Sequence, residues 1–178
     1  EEVRERLRSN QAPEQKRLSI MADRDSLPSS RASLPPEALW SKIAAQTDPD
    51  DKDFRRALAA GPIPEQLRSS LWMRHAGASR KSKSGVYAAL LHAPEAKPGE
   101  HAQIALDIGR SGVRCLELQQ ALSRVLTAFS AHNQNTGYVQ GQNFIAAGLL
   151  RALPEEEVFW LLATVVEDYL PEHFTPSM

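Results

Sequence analysis

The sequence predicts an all-α protein. Three observations support this prediction. Apolar residues recur at intervals of three and four along most of the chain after Pro36, no stretch alternates apolar and polar residues, and no Asn-Gly or Asp-Gly pair marks a tight hairpin. The 178 residues are 42% apolar and 24% charged, a composition typical of one globular domain with a sizeable core.

The first stretch of the chain, from Glu1 to about Pro36, is rich in Arg, Ser, Glu and Pro and poor in large apolar residues. Such a segment buries too little apolar surface to offset the entropy lost on ordering it. We therefore expect residues 1–36 to be disordered and residues 37–53 to form a linker helix. The chain lacks an initiating Met and stops abruptly at Pro176-Ser177-Met178, so we expect it to be a piece of a longer protein.

Four short helices are predicted in the first half, each from apolar residues on one helical face. Their apolar positions are Leu39, Trp40, Ile43 and Ala44; Phe54 and Leu58; Leu67, Leu71 and Trp72; and Val86, Tyr87, Leu90 and Leu91. Asp50 and Asp51 can cap the second helix, which Gly61 ends. Pro64 suits the first position of the third helix and Gly77 its C-terminal cap. Loops are predicted at residues 80–84 and 94–99.

Three longer helices are predicted in the second half. The first has its apolar stripe at Cys115, Leu118, Leu122, Val125, Leu126 and Phe129. We expect the Cys115 thiol to pack in the core on this stripe. The turn residues 133–137 end this helix, and Phe144–Leu153 forms the next. Pro154 begins the last helix, where three glutamates at 155–157 suit the positive end of the helix dipole.

Composition and spacing argue against several classes of function. The net charge is −1, which gives no bulk electrostatic attraction to nucleic acid. A lone cysteine excludes an internal disulfide and fits a reducing, intracellular compartment. No two of the five histidines lie three or four residues apart, so no metal is expected. There is no phosphate-binding Gly-x-x-x-x-Gly-Lys loop, and no apolar run approaches the roughly 20 residues of a membrane span.

One polar cluster stands in the stretch Ile104–Ser111. Asp107 and Arg110 are three residues apart, so one helical turn brings their side chains together. An isolated pair of this kind is ordinarily a surface ion pair.

A second polar cluster follows at residues 137–143. Gly137 and Gly141 bracket a short segment that holds Tyr138 and Gln140. Asn143 comes next, at a predicted helix start, where its side chain can cap the helix. Taken alone, this cluster also fits an ordinary turn between helices.

Together the two clusters resemble the signature motifs of the TBC domain, the Rab GTPase-activating domain. Ile-x-x-Asp-x-x-Arg at 104–110 is followed about 30 residues later by Tyr-x-Gln-Gly-x-Asn at 138–143. The resemblance also takes in Gly61-Pro-Ile-Pro64, Phe159-Trp160 and Leu170-Pro171, and covers residues 54–178. It implies a multi-helix TBC domain that is truncated at its C-terminal side.

The resemblance implies a GTPase-activating protein that is not itself a nucleotide hydrolase. In this family an arginine finger and a glutamine finger act on the partner's GTP, and these correspond here to Arg110 and Gln140. The residues that the resemblance assigns to supporting the fingers are Asp107, Tyr138, Gly141 and Asn143. The implied partner is a GTP-bound Rab-family GTPase that carries the GTP and Mg²⁺, so the chain needs no cofactor of its own. The implied setting is vesicle trafficking, in the cytoplasm with peripheral recruitment to endomembranes.

Two stretches depart from the family pattern, with three departing residues. Ser111 and Gly112 follow Arg110, where the family has Thr and then an aromatic residue, and Gln142 stands in place of a Met. We expect Gly112 to loosen the loop after the arginine and Gln142 to change the packing behind the glutamine loop. The alternative function is a TBC-like binding module that docks a GTPase or scaffold without speeding hydrolysis.

Overall fold

Helices make up the fold of the described residues, 35–46 and 50–175 of this computed structural model, and no strand occurs in these ranges. In chain order they are α1 Pro36–Ala45, α2 Asp51–Ala60, α3 Glu65–His75, α4 Ala78–Lys81, α5 Val86–Leu90, α6 Glu100–Arg110, α7 Leu116–His132, α8 Gln142–Leu150 and α9 Glu155–Thr164, followed by the π-helical turn Val165–Tyr169. The all-α prediction is confirmed. The predicted disorder of residues 1–36 falls almost entirely outside the described ranges, and the domain boundaries stay predictions.

The first three helices share a small apolar cluster of their own. Its buried members are Trp40, Ile43, Ala57 and Leu71. As predicted, Asp50 caps α2, and its side chain accepts a hydrogen bond from the backbone N–H of Lys52 at 3.1 Å. The guanidinium of Arg74 in α3 donates to carbonyls at the end of α1, to Ile43 at 3.0 Å and, just past the helix, to Gln46 at 2.7 Å. Arg74 therefore satisfies carbonyls that a helix end leaves without partners.

The larger core surrounds α7, which packs against α5, α6, α8 and α9. Its predicted stripe is buried from Leu122 through Phe129, because these residues face helices on several sides. Arg124 on the outer side donates to both carboxylate oxygens of Glu155, at 2.8 and 2.5 Å, which fastens α7 to the start of α9. No helix in the described ranges has the length and apolar character needed to cross a membrane.

The predicted loop at residues 80–84 begins inside a helix. Arg80 and Lys81 belong to the four-residue helix α4, which follows Gly77 in the left-handed conformation. Lys81 forms ion pairs with Glu167 at 2.7 Å and Asp168 at 2.8 Å, both on the π-helical turn. The contact between Lys81 and Glu167 joins residues that are 86 positions apart in the sequence. It stabilises a helix where the local composition favours a loop.

The prediction that Cys115 packs in the core is wrong, because its thiol is exposed. The residue precedes α7 with extended backbone, φ −77° and ψ 127°, so it does not share the helical face of the stripe. Its thiol donates to Glu117 Oε2 at 2.6 Å across the first turn.

We expect the Cys115 thiol to react with a maleimide in the folded protein about as fast as in the unfolded chain, because no packing covers it. Cys115→Ala should change the free energy of unfolding by less than about 0.5 kcal/mol, because the thiol is exposed and makes no cap hydrogen bond to α7. Labelling followed by mass spectrometry, with and without denaturant, measures the first expectation. Strong protection of the thiol in the folded state would contradict it.

Candidate functional site

The site is built on a buried carboxylate in the last turn of α6. Asp107 is only 1% exposed, and each of its oxygens has a partner. Oδ1 lies 3.2 Å from NH1 of Arg110. Oδ2 accepts from Nε2 of Gln103 at 2.9 Å and from the hydroxyl of Tyr138 at 3.1 Å. Because an unpaired buried charge is costly, these three donors hold Asp107, and Asp107 in turn holds them.

Asn143 joins the end of α6 to the start of α8. Its Nδ2 donates to the backbone carbonyl of Asp107 at 3.1 Å and to the hydroxyl of Ser111 at 2.8 Å. Its Oδ1 accepts from the backbone N–H of Gly141 at 3.0 Å. The expectation that Asn143 caps a helix from its first position is wrong. Gly141 occupies the N-cap position, and Asn143 is the second residue of α8, turned toward carbonyls that the end of α6 leaves free.

The N-terminal end of α6 binds the first residues of the glycine-bracketed loop, 137–141. Glu100 accepts a hydrogen bond from the backbone N–H of Tyr138 at 2.9 Å, and its second oxygen accepts from the Ser130 hydroxyl of α7. Lys97, just before α6, donates to the carbonyl of Thr136 at 3.1 Å. Gly137 lies against these groups with φ +66°. The loop is therefore fixed from both ends of one helix.

We expect Gly137→Ala to destabilise the fold by about 1–3 kcal/mol, because a Cβ there meets Glu100 and requires a left-handed backbone. Gly85→Ala is the matched control. Gly85 has a similar φ of +79° but nothing within 4 Å of an added Cβ, so it measures the backbone penalty alone. Thermal unfolding of both variants gives the comparison. Equal losses would show that contact with Glu100 does not constrain Gly137.

Two polar side chains of this region are exposed at the edge of the buried network. Arg110 is the last residue of α6, and its side chain is 65% exposed. Gln140 is also exposed, and no hydrogen bond to another described residue holds its amide. Gln140 lines a cleft of about 590 Å³ together with Lys97, Pro98, Glu100, Gln103, Thr136, Tyr138 and Val139. The support is buried, while the guanidinium and the amide are available to a partner.

The surroundings of the Tyr138 phenol keep it protonated. Burial, reinforced by the hydrogen bond to Asp107, raises the pKa of the Tyr138 phenol above its ordinary value. The phenol is therefore neutral at physiological pH and serves as a permanent donor to the carboxylate. Within the described residues no group of three or more His, Cys, Asp or Glu side chains is placed to hold a metal ion.

Three contributors to this network were missed in the sequence. Gln103 lies four residues before Asp107, and this i, i+4 spacing is the signal that was available for it. Glu100 had none, because its contact with Tyr138 spans 38 residues. Ser111, noted only as a departure from the family pattern, donates to the carbonyl of Asp107 at 2.8 Å.

The other two departures have structural explanations. Gly112 adopts φ +70° in the turn after Arg110, a conformation that glycine accepts readily. Gln142 is fully buried behind the loop, where its Nε2 donates to the carbonyl of Gly137 at 3.3 Å. Its Oε1 has no donor among the described residues. Gln142 thus adds a polar tie to the glutamine loop.

Comparisons with known proteins agree with this architecture. Growth hormone-regulated TBC protein 1 of Homo sapiens is 35% identical over 151 residues, and its Xenopus tropicalis counterpart is 30% identical over 152. Each match covers 78% of this chain and 44% of the relative, so the chain spans under half the length of these relatives. The crystal structure of the Chlamydomonas flagellar RabGAP TBC domain matches with a TM-score of 0.55 at 27% identity. That match covers 93% of this chain and 53% of the other.

The family assignment rests on a match to the Rab-GTPase-TBC domain model over residues 65–178. That range is more than half of the chain and contains both polar clusters of the site. The chain therefore belongs to the Rab-GTPase-TBC domain family.

Proposed function

We propose that this chain stimulates GTP hydrolysis by a GTP-bound Rab-family GTPase, with Arg110 as the arginine finger and Gln140 as the glutamine finger. One observation above all supports the proposal. The buried network around Asp107 ties the segment that bears Arg110 to the loop that bears Gln140, while both side chains stay exposed. Preorganised groups aimed at a partner are what catalysis in trans requires.

Arg110 supplies positive charge. Small GTPases hydrolyse GTP slowly because charge on the phosphates is incompletely neutralised during transfer, and an arginine from an activator accelerates the reaction by about 10³–10⁵-fold. The guanidinium is planar and always charged, so it can span two phosphoryl oxygens. In the free protein its NH1 rests on Asp107, which limits the conformations that the side chain must give up on docking.

Gln140 supplies a neutral amide that can accept a hydrogen bond from the attacking water and donate one to the phosphate. It thereby does the work of the GTPase's own switch glutamine. Gly141, with φ +109°, allows the chain to turn directly into α8 after Gln140. The partner brings GTP and Mg²⁺, and the chain contributes side chains only. We place this activity in vesicle trafficking, in the cytoplasm at the surface of endomembranes.

The test is a single-turnover hydrolysis assay over a panel of GTP-loaded Rab-family GTPases, using this chain and a version extended past Met178. Acceleration of at least one GTPase by a catalytic amount of protein is the expected result. A chain that binds GTP-loaded Rab proteins tightly but accelerates none of them would be a binding module, and the proposal would be wrong.

A further inference from the structure

Large apolar side chains are exposed next to both proposed fingers. Leu106 is 62% exposed and precedes Arg110 by four residues on α6, so the two side chains lie on the same helical face. Phe144 is 54% exposed and follows Gln140 by four residues, in the first turn of α8. A single exposed apolar side chain is ordinary, whereas exposed apolar surface rimmed by polar groups is typical of an interaction surface.

The internal contacts of the site fix where these two side chains stand. Asn143, directly before Phe144, is bonded to the end of α6 through Asp107 and Ser111. The first turn of α8 and the C-terminal end of α6 are therefore held together as one unit. Leu106 lies in this part of α6, directly before Asp107. We call Leu106 and Phe144 the apolar flanks.

We propose that the apolar flanks contact the GTP-bound GTPase itself and set the affinity of the complex, without taking part in the chemistry. This inference rests on the proposed function. The kind of partner that contacts the apolar flanks follows from the chemistry of this surface. The exposed guanidinium of Arg110 is complementary to an anionic group, and the flanks beside it are complementary to apolar surface. A GTPase offers both, because protein surface surrounds the bound nucleotide phosphates.

Contact at the flanks has a further physical effect. Apolar side chains packed around a charged contact exclude water from it, and the attraction between guanidinium and phosphate is stronger where water is excluded. The flanks therefore strengthen binding in two ways, through the apolar area they bury and through the shielding of Arg110.

The experiment compares Leu106→Gln and Phe144→Gln, singly and together, with Leu58→Gln as the matched control. Glutamine is neutral, so it cannot form a competing ion pair with Arg110. Leu58 is 49% exposed on α2, which lies in the separate apolar cluster with α1 and α3. All four variants should keep the melting temperature of the wild type, since the altered side chains are exposed.

Each single flank variant should raise KM for the GTP-bound GTPase by about three- to tenfold, and the double variant by more than tenfold. The rate at saturating GTP-bound GTPase, kcat, should stay within about twofold of wild type, and Leu58→Gln should match wild type in both KM and kcat. The dissociation constant, measured with a GTPase loaded with a non-hydrolysable GTP analogue, should rise in parallel with KM.

Unchanged KM and dissociation constant in the double variant would overturn the inference and leave the proposed function intact. A lower saturating rate with unchanged KM would also overturn it, because the flanks would then act on the fingers. If the wild-type chain binds GTPases without accelerating any, the proposed function fails, and the dissociation constants alone decide the role of the flanks. Absence of binding between the wild-type chain and every GTP-loaded GTPase tested would overturn the inference. So would self-association of the wild-type chain that light scattering shows to be lost in the double variant, because the flanks would then contact a second copy of this chain.

Discussion

Arg110→Ala is expected to lower the stimulated rate of GTP hydrolysis by about 10³-fold or more, because it removes the positive charge that the proposed finger brings to the phosphates. The fold should stay intact with a modest loss of stability, because Oδ1 of the buried Asp107 loses the one donor described for it. The side chain is 65% exposed, and Asp107 keeps its hydrogen bonds from Gln103 and Tyr138 when the guanidinium is removed. Single-turnover hydrolysis with a GTPase that responds to the wild-type chain, together with the melting temperature, measures both effects.

Arg110→Lys separates charge from geometry. Lysine keeps a positive charge but loses the planar fork that spans two phosphoryl oxygens, so it should restore only a small part of the lost rate. Hydrolysis near the wild-type rate with the alanine variant would reject Arg110 as the arginine finger.

Gln140→Ala should slow stimulated hydrolysis by about 10²-fold, the usual cost of removing one group that stabilises a transition state. Its effect on affinity should be small, because one uncharged side chain supplies little of the energy of a protein interface. Hydrolysis rates and dissociation constants are therefore measured in parallel. Gln134→Ala is the matched control, since Gln134 is another exposed glutamine in the turn before the loop. It should behave as wild type.

A second arm tests whether Gln140 replaces the GTPase's own glutamine. A GTPase whose switch glutamine is changed to alanine should still respond to the wild-type chain, because the water is oriented from outside. If that GTPase fails to respond while Gln140→Ala remains fully active, Gln140 is only a loop residue and the glutamine-finger assignment is wrong.

The helices could be predicted wherever a local signal and a buried face coincide. Asp50 marks the start of α2 by its side-chain cap, and Pro154 precedes α9 as its N-cap residue. The helix at Ala78–Lys81 escaped prediction because it depends on the ion pairs of Lys81 with a distant turn. Cys115 was predicted to be part of the helical stripe, but α7 begins one residue later, at Leu116. An error of one residue in the start of a helix is enough to move a side chain off the helical face.

Part of the site was accessible in the same way. The three-residue spacing of Asp107 and Arg110 predicted their contact, because helical geometry alone fixes it. The bond from Tyr138 to Asp107 joins residues 31 positions apart, so no local pattern specifies it. Asn143 was recognised as a capping type, but the carbonyl it meets is that of Asp107 on α6, and only tertiary packing brings that carbonyl within reach.

The burial of Asp107 beneath an exposed Arg110 has an evolutionary consequence. Selection for stability acts on this cluster, because loss of the carboxylate leaves the buried Tyr138 hydroxyl without its acceptor and loss of Arg110 leaves Oδ1 without its described donor. It acts only weakly on the amide of Gln140, which makes no hydrogen bond to another described residue. On the proposed function, a single substitution at Gln140 would therefore silence the domain while its descendants still fold and dock, and activators and non-catalytic adaptors of this architecture would then differ by very few mutations.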